Sequence, residues 1–458
     1  MLITGATLKD WGLKPASYFA KAVARANELQ DSGQSLDAIR TAILAEYAPP
    51  PPLLRRAEPL PYFSNIQAQI DGDADNIAKI DLHMRELMRV PTLVSGAIMP
   101  DACPSGKTLG TIPVGGVVAA KNAIHPGMHS ADICCSMAVT IFDDDINPTD
   151  MLDAGMALSH FGPGGRKIPI QPDIEILKLF QDNFFLKSEL NSCVEHFATQ
   201  GDGNHFFYVG HIASTGKIAL VTHHGSRKPG AMLYEAGMRV AEKTLSAIAP
   251  DIAPHNAWIV ANSSEGVKYW NALQIIRQWT KASHFAIHDL VAQHLKLKIQ
   301  DRFWNEHNFV FQKSDGLFYH AKGATPAYKG FAADESGLTL IPLNMSAPIL
   351  ITKGLDAKNG LGFAPHGAGR NLSRTAYMNQ FPDMTPEQMF REQTKGIDAR
   401  AFCGIVDASE LPGAYKNADQ VRGQIEHYGL AQIIDTIEPV GSIMAGDWEK
   451  PLRGNWKN

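Results

Sequence analysis

The sequence ADICCSMAV, residues 131–139, places two of the five cysteines side by side, with an aspartate two positions before the first. A disulfide between neighbouring cysteines is strained and rare, so we expect none here. If the stretch is a strand, Cys134 and Cys135 point to opposite faces of it. Two interpretations are open at this point: two packed thiols in a buried strand, or a thiolate that meets Asp132 and other ligands at a metal ion.

The composition is that of an ordinary globular protein. The 458 residues are 45% hydrophobic and 19% charged, which is enough material for a large core. The net charge of -5 provides no global field for nucleic acid, although a local basic groove is compatible with it. Five cysteines without regular spacing favour a reducing compartment with free or metal-bound thiols. We see no signal peptide and no membrane span, so we expect a cytoplasmic protein without a membrane partner.

Two kinds of pattern divide the chain. Residues 15–48 predict two amphipathic helices that break at Ser32-Gly33, with Ser35 as N-cap of the second, and the prolines at 49–52 predict a stiff connector. Further on, β-like runs alternate with glycine-rich turns, for example at 111–120, 132–142, 205–212 and 217–227. Helical patterns follow at 231–247, 265–297, 386–397, 414–428 and 430–436. We predict a helical N-terminal extension, residues 1–90, and a main domain of α/β or α+β class, residues 91–458.

Several histidines lie beside Gly, Asn or Arg at the ends of β-like runs, where sites are commonly built. Three of them, with one cysteine and one aspartate, would supply enough ligands for two divalent ions if a thiolate bridges the pair. The candidate ligands are Asp132, Cys135, His205, His223 and His307. His366 lies in a glycine-rich loop, where a neutral imidazole can attack phosphorus. Taken singly, each histidine is more often a hydrogen-bonded structural residue.

Nine short motifs occur in an order that matches a known family. On them, the chain resembles the RtcB family of RNA-splicing ligases over roughly residues 95–446. The motifs are MPDACPSG at 99–106, IPVGGVVA at 112–119, DICCSM at 132–137, GDGNHF at 201–206, HHGSR at 223–227, HN at 307–308, HAKGAT at 320–325, HGAGRNLSR at 366–374 and AYK at 414–416.

The resemblance implies a single large domain around a buried two-metal site. It implies an enzyme that joins RNA ending in a 3′-phosphate or 2′,3′-cyclic phosphate to RNA with a 5′-hydroxyl, in tRNA splicing or RNA repair. The implied cofactors are GTP and two Mn²⁺ ions. The implied partners are RNA ends, such as tRNA halves or nicked RNA, and the family resemblance also allows for an activating helper protein.

The resemblance also implies roles for individual residues. Cys135 would bridge the two ions, and His366 would carry GMP. Asp132 and His205 would complete one metal site, and His223 and His307 the other. The residues implied for the nucleotide are Asn204, Asn308, Pro342, Asn344, Met345, Gly367, Ala368 and Gly369. The residues implied for RNA or phosphate are Asp101, Arg227, Lys322, Arg370 and Arg374.

The chain departs from the family pattern where the nucleotide would be recognised. Cys103 stands in place of a histidine, Tyr208 in place of a glutamate that reads guanine, and Met444 or Ala445 in place of a lysine. Three functions are therefore open: a divergent ligase with altered nucleotide preference, a metal-dependent phosphodiesterase or phosphatase on RNA ends, or a non-catalytic protein that binds RNA ends. We favour the ligase, because a decaying enzyme is expected to lose its metal ligands as well.

Overall fold

The computed structural model divides the chain into two compact units. The smaller is Met1–Leu53 with Ala247–Pro250, and the larger is Leu54–Ser246 with Asp251–Asn458. The structure describes residues 2–48, 52–69, 72–328, 330 and 336–448. Of the predicted proline connector, the first three residues lie outside the described ranges, and Pro52 is exposed.

The smaller unit holds three helices, α1 (Gly5–Asp10), α2 (Phe19–Asp31) and α3 (Leu36–Tyr47). The predicted break between two helices is confirmed, and the Ser35 hydroxyl accepts a hydrogen bond from Ala38 N at 3.3 Å. Apolar residues at helical spacing form a small core here. Its most buried members are Leu8, Ala22, Ala26, Ile39 and Ile43.

The larger unit begins earlier than the sequence indicates. Residues 54–90, predicted to belong to the N-terminal extension, group with this unit instead. They group with it because the strand Phe63–Ser64 pairs in parallel with the strand Leu93–Cys103, with Phe63 opposite Ala97. The helix Asp73–Leu87 packs against the same strand and buries Ile80, Met84 and Leu87 there.

The larger unit contains seventeen strands and nine helices among its described residues. The strands are β1 (Phe63–Ser64), β2 (Leu93–Cys103), β3 (Val114–Ala120), β4 (Ala123–Ile124), β5 (Ser136–Phe142), β6 (Phe206–Ile212), β7 (Ile218–His224), β8 (Ile259–Val260), β9 (Ile299–Glu306), β10 (Asn308–Gln312), β11 (Phe318–Lys322), β12 (Ala324–Pro326), β13 (Leu338–Ile341), β14 (Ile349–Gly354), β15 (Phe363–Pro365), β16 (Asp398–Ala401) and β17 (Ala431–Met444). The helices are α4 (Asp73–Leu87), α5 (Pro148–Leu158), α6 (Ile174–Asp182), α7 (Leu190–Glu195), α8 (Arg227–Ile248), α9 (Ser264–Leu295), α10 (Arg374–Met378), α11 (Pro386–Gln393) and α12 (Ala418–His427).

An eight-stranded sheet carries most of the core. Its strands follow the order β13-β14-β17-β6-β7-β5-β9, with β16 added parallel to β17. A hydrogen bond of 2.8 Å from Leu340 N to Asn305 Oδ1 joins the two outer strands, so the sheet curls round on itself. Apolar side chains cover the inner face of this sheet, among them Met137, Val221 and Ile437. A second sheet has the order β1-β2-β3-β11-β10. The predicted mixed α/β class is confirmed.

One predicted helix is wrong. Residues 430–436 form the first half of β17, which pairs with β14 and β6 at the centre of the large sheet. Gly429 has a φ of 61° and separates this strand from α12. The β-branched residues that follow lie in the part of the strand that pairs with β14, and this pairing overrides the short helical pattern. The predicted strands at 111–120, 132–142, 205–212 and 217–227 and the other helical patterns are confirmed in type. None of the described helices has the length and apolarity needed to cross a membrane.

Candidate active site

Strand pairing brings three predicted ligands together at one end of the large sheet. Cys135 directly precedes β5, His223 lies in β7, and His307 joins β9 to β10, while β5 pairs with both β7 and β9. Cys135 Sγ lies 3.2 Å from His223 Nε2, which in turn lies 3.2 Å from His307 Nε2. These three side chains, from three distant parts of the sequence, therefore form one buried cluster.

The other two predicted ligands extend the same cluster. His205 precedes β6, and its Nε2 lies 3.5 Å from Cys135 Sγ and 3.4 Å from Asp132 Oδ2. One ligand atom from each of Cys135, His205 and His223 lies within 4.8 Å of the others. The five residues thus form a continuous chain of contacts with the thiol at its centre, which is the arrangement that a bridging ligand requires.

The donor set fits divalent transition-metal ions. His223 Nδ1 contacts Asn204 O at 3.1 Å, and this contact points Nε2 into the cluster. His205 Nδ1 and His307 Nδ1 are buried and have no hydrogen-bond partner among the described residues. Nitrogen and sulfur ligands suit such ions, and the Asp132 carboxylate adds affinity for harder ones such as Mn²⁺.

Burial sets the protonation states of these groups in the metal-free chain. It lowers the pKa of His223 to about 3 and that of His307 well below its usual value, so both rings are neutral and able to bind metal. Burial raises the pKa of the Cys135 thiol, which a cation reverses by holding the thiolate. Burial also raises the pKa of Asp132, but the hydrogen bond and charge of His205 outweigh it and lower that pKa to about 2.

His366 stands beside the cluster at the end of β15, with its ring centroid 4.9 Å from that of His307. Its Nδ1 lies 2.6 Å from Asp101 Oδ2, and the same oxygen accepts the His366 backbone N–H at 3.2 Å. The Nε2 atom is therefore the nitrogen left for chemistry. Asp101, which the resemblance implied for RNA or phosphate, instead contacts the predicted nucleophile.

A cavity of about 250 Å³ opens at His366. Seven of the eight residues implied for the nucleotide line it, namely Asn204, Pro342, Asn344, Met345, Gly367, Ala368 and Gly369. The eighth, Asn308, supports a turn, since its Oδ1 accepts a hydrogen bond from Gly323 N at 2.7 Å. The departures Cys103, Tyr208 and Met444 line the same cavity, and the Tyr208 hydroxyl donates to Ile437 O at 2.9 Å.

A larger cavity of about 710 Å³ opens on the other side of the cluster. Asp132 and His205 line it together with Arg227, Arg374 and Trp448. Arg370 lines only the smaller cavity.

Lys322 lines neither of these two cavities. Its ammonium contacts Ser105 Oγ at 2.5 Å. Burial lowers the pKa of Lys322 to about 8.

Sequence reasoning missed the residues that hold this machinery in place. Lys416 is buried, and its ammonium donates to Pro100 O at 3.2 Å and Ala102 O at 2.6 Å, on either side of Asp101. Glu410 is 3% exposed and binds two arginines. Lys416 lies in the AYK motif, so the sequence marked its position but assigned it no role. A single glutamate such as Glu410 belongs to no motif, so nothing in the sequence marked it.

A family model described as tRNA-splicing ligase RtcB matches residues 176–445. That stretch contains all four histidines of the site and begins after Asp101, Asp132 and Cys135. The model therefore matches more than half of the 458 residues.

Curated relatives carry the same description. The tRNA-splicing ligase RtcB of Thermococcus kodakarensis is 26% identical over 324 residues, which is 62% of this chain and 64% of the relative. That of Pyrococcus abyssi is 28% identical over 283 residues, 53% of this chain and 30% of the relative. That of Archaeoglobus fulgidus is 26% identical over 282 residues, 53% of this chain and 58% of the relative.

The match thus spans less than two thirds of each of these relatives, at modest identity. The family model, which covers the histidines of the cluster, the loop of His366 and the strands that carry them, establishes the relationship. The chain belongs to the RtcB family of tRNA-splicing ligases.

Proposed function

We propose that this chain is an RNA ligase that joins RNA 3′-phosphate or 2′,3′-cyclic phosphate ends to 5′-hydroxyl ends, through a nucleotide bound covalently to His366. The observation that carries the proposal is the setting of His366: Asp101 occupies Nδ1, and Nε2 is left free between a nucleotide-sized cavity and a cluster of metal ligands. The names of the relatives support tRNA splicing as its context, and RNA repair is the alternative context that we propose.

Two divalent ions, which we propose to be Mn²⁺, would be held by Asp132, Cys135, His205, His223 and His307. When bound, they supply positive charge that stabilises phosphoryl oxygens. The buried, neutral imidazoles and the central thiol of the cluster support this assignment. Asn204, whose carbonyl oxygen orients His223, also lines the nucleotide cavity and links the two parts of the site.

The chain's own residues perform the first chemical step. His366 Nε2 attacks the α-phosphorus of a nucleoside triphosphate, and pyrophosphate leaves. The ring then carries positive charge, and the Asp101 carboxylate compensates it through Nδ1. The glycine-rich loop Gly367-Ala368-Gly369 lies close enough to supply backbone N–H groups to phosphate oxygens.

We propose GTP as the nucleotide, with relaxed preference for the base. The cavity next to His366 has apolar walls at Phe206, Ile349 and Met444. The Tyr208 hydroxyl donates its proton to Ile437 O, so it has no proton left to donate to a base edge. Recognition then depends mainly on stacking and shape, which every base satisfies to some degree.

The substrate class and the location of the protein complete the proposal. Arg227 and Arg374 line the larger cavity, where they would meet the phosphate of an RNA end. All five cysteines are free thiols, which supports a reducing, cytoplasmic location. A helper protein that activates the enzyme is compatible with this proposal.

Intact mass spectrometry tests the central step. The purified protein is incubated with Mn²⁺ and with GTP, ATP, CTP or UTP in turn. We expect one adduct of nucleoside monophosphate mass, which His366→Ala abolishes. The exposed His294, near the end of α9, offers a matched control, since His294→Ala should load normally.

Other results of this experiment would support one of the alternative functions. Stoichiometric metal without an adduct from any nucleotide would refute the ligase. If such a protein still opens cyclic phosphate ends, it is a metal-dependent phosphodiesterase. If it only binds RNA ends, it is a non-catalytic binding protein. An adduct that persists in His366→Ala would refute His366 as the nucleophile.

A further inference from the structure

Arg374 lies at the wall between the two cavities. Among the described residues, Arg374 and Asn204 are the two that line both cavities. Arg374 is the first residue of α10, and its side chain is 61% exposed. A Cβ atom added at Gly203 would lie 3.5 Å from Arg374 Nη2, so the guanidinium reaches the loop that carries His205. The guanidinium can therefore contact ligands in either cavity.

Glu410 is what holds Arg374 there. Arg374 Nε donates to Glu410 Oε1 at 2.8 Å, and Arg374 Nη2 donates to the same oxygen. Arg374 has no other side-chain hydrogen bond in the part of the chain that the structure describes. Glu410 is 3% exposed, so its carboxylate is a fixed buried anchor for an otherwise mobile side chain.

Arg370 depends on Glu410 much less. Its Nη1 donates to Ser409 O at 2.8 Å, its Nε contacts Leu372 O at 3.4 Å, and its guanidinium lies 5.4 Å from the centre of the Tyr415 ring. The ion pair with Glu410 Oε2, at 3.5 Å, is one contact among several. Neutralising Glu410 should therefore weaken the positioning of Arg374 much more than that of Arg370.

The two arginines also face different ligands. Arg370 lines only the cavity of His366, and its Nη2 is buried without a hydrogen-bond partner among the described residues. Such an orphaned donor is costly unless an anion binds it, and the phosphates of a nucleotide are the anions that this cavity would take. Arg370 therefore suits the loading of His366, and Arg374 suits the step in which two phosphates meet.

We propose that Glu410 is a positioning residue that fixes Arg374 between the cavities, and that Arg374 serves the transfer of the nucleotide from His366 to an RNA 3′-phosphate. The inference rests on the proposed ligase function. In this transfer, an oxygen of the RNA phosphate forms a bond to the phosphorus carried by His366, and the electron pair of the phosphorus–Nε2 bond returns to the ring. Nδ1 keeps its proton throughout and shares it in a hydrogen bond with Asp101. A fixed guanidinium between two anionic phosphates reduces their repulsion as they approach.

Separate measurement of loading and transfer tests this assignment. Loading is the rate of adduct formation by intact mass, with Mn²⁺ and the nucleotide that loads the wild-type chain. Transfer is the rate at which the loaded, desalted protein loses the adduct after a 3′-phosphate oligoribonucleotide is added. In Glu410→Gln we expect loading within about three-fold of wild type and transfer slowed by about ten- to a hundred-fold, the effect of losing one charge-assisted contact.

Further variants sharpen the test. Arg374→Lys should show the same selective loss of transfer, and Arg370→Lys should slow loading instead. Because Glu410 and Arg374 act as a unit, the double variant Glu410→Gln/Arg374→Lys should be no slower in transfer than the single variants. Arg239→Lys on α8, which forms a surface ion pair with Glu235, is the matched control for an Arg-to-Lys change.

Two results would overturn the inference. If Glu410→Gln slows loading as much as transfer, Glu410 only supports the fold of the site. If the losses of the two single variants multiply in the double variant, the residues act independently. Arg374→Lys keeps the test informative should Glu410→Gln fold poorly, because Arg374 is mostly exposed. Failure of the wild-type chain to load at all would instead refute the proposed function, and the inference with it.

Discussion

Substitution of Asp101 by asparagine isolates the charge beside His366, the proposed nucleophile. Asp101 Oδ2 accepts both the His366 backbone N–H and a contact from Nδ1, at 3.2 and 2.6 Å. The asparagine oxygen can occupy the position of Oδ2 and keep both hydrogen bonds and the ring orientation. What is lost is the negative charge that compensates His366 when its Nε2 binds phosphorus.

The size of the effect follows from the strength of such contacts. A hydrogen bond to a charged group contributes about 1.5–3 kcal/mol, and a neutral one about 1 kcal/mol. The difference is about 1 kcal/mol between the middle values and about 2 kcal/mol at most, and it applies only when the ring is charged, so it raises the barrier to loading. We therefore expect Asp101→Asn to load its nucleotide about 5- to 30-fold more slowly than the wild-type chain.

The assay is a quenched time course of adduct mass with saturating nucleotide and Mn²⁺. Asp383→Asn, at an exposed position remote from the motifs, is the matched control and should load at the wild-type rate. A rate for Asp101→Asn within about two-fold of wild type would show that the charge is not used. A loss beyond about 1,000-fold would also contradict the reasoning, because it would make Asp101 a direct participant in the chemistry.

Three further predictions concern metal, acid and the support of Asp101. Cys135→Ser should lower the Mn²⁺ retained after dialysis, measured by plasma mass spectrometry, while His366→Ala should retain it, because the thiol lies at the centre of the ligand cluster. Burial lowers the pKa of His125 to about 3 and of His129 to about 4, so below about pH 6.5 the unfolded chain binds more protons than the folded chain. The free energy of unfolding therefore decreases as the pH decreases. Urea unfolding at pH 5 should show a loss of about 2 kcal/mol per histidine relative to pH 7. Lys416→Met removes the ammonium donor from Pro100 O and Ala102 O, although Ala102 O keeps a hydrogen bond from Asn76 Nδ2. The variant should lower the free energy of unfolding by about 1–3 kcal/mol in the same assay, with slower loading of His366.

Local patterns sufficed for most of the fold. The strands at 205–212 and 217–227 combine β-branched and aromatic residues with polar ends, and both formed as predicted. Residues 430–436 carry an ambiguous pattern, and only the pairing of residues 431–436 with β14 makes them a strand. The strand Phe63–Ser64 is two residues long and is recognisable only through its partner Leu93–Cys103, so the boundary at residue 90 could not be corrected from the sequence.

The site shows a similar division between local and long-range information. Order and spacing of motifs indicated the five ligands, but their convergence depends on the antiparallel pairing of β5 with β7 and β9, which no spacing encodes. The contact between Asp101 and His366 joins residues 265 positions apart, so sequence reasoning assigned Asp101 to phosphate. Glu410 was missed because a lone glutamate is usually a surface residue, and only burial beside two arginines distinguishes it.

The neighbouring cysteines are explained by a turn and not by strand alternation. β5 begins at Ser136, after both of them, so the alternation of strand faces does not apply to this pair. Cys134 has a φ of 60°, a left-handed conformation that costs a non-glycine residue about 1–3 kcal/mol. Its N–H donates to Asn308 O at 2.7 Å, and the His307 N–H donates to Cys135 O at 2.9 Å, so the turn is bonded on both sides to the segment that carries His307. The strained residue therefore fixes the bend by which the chain enters β5, and the Cys135 thiol that follows this bend contacts His205 and His223.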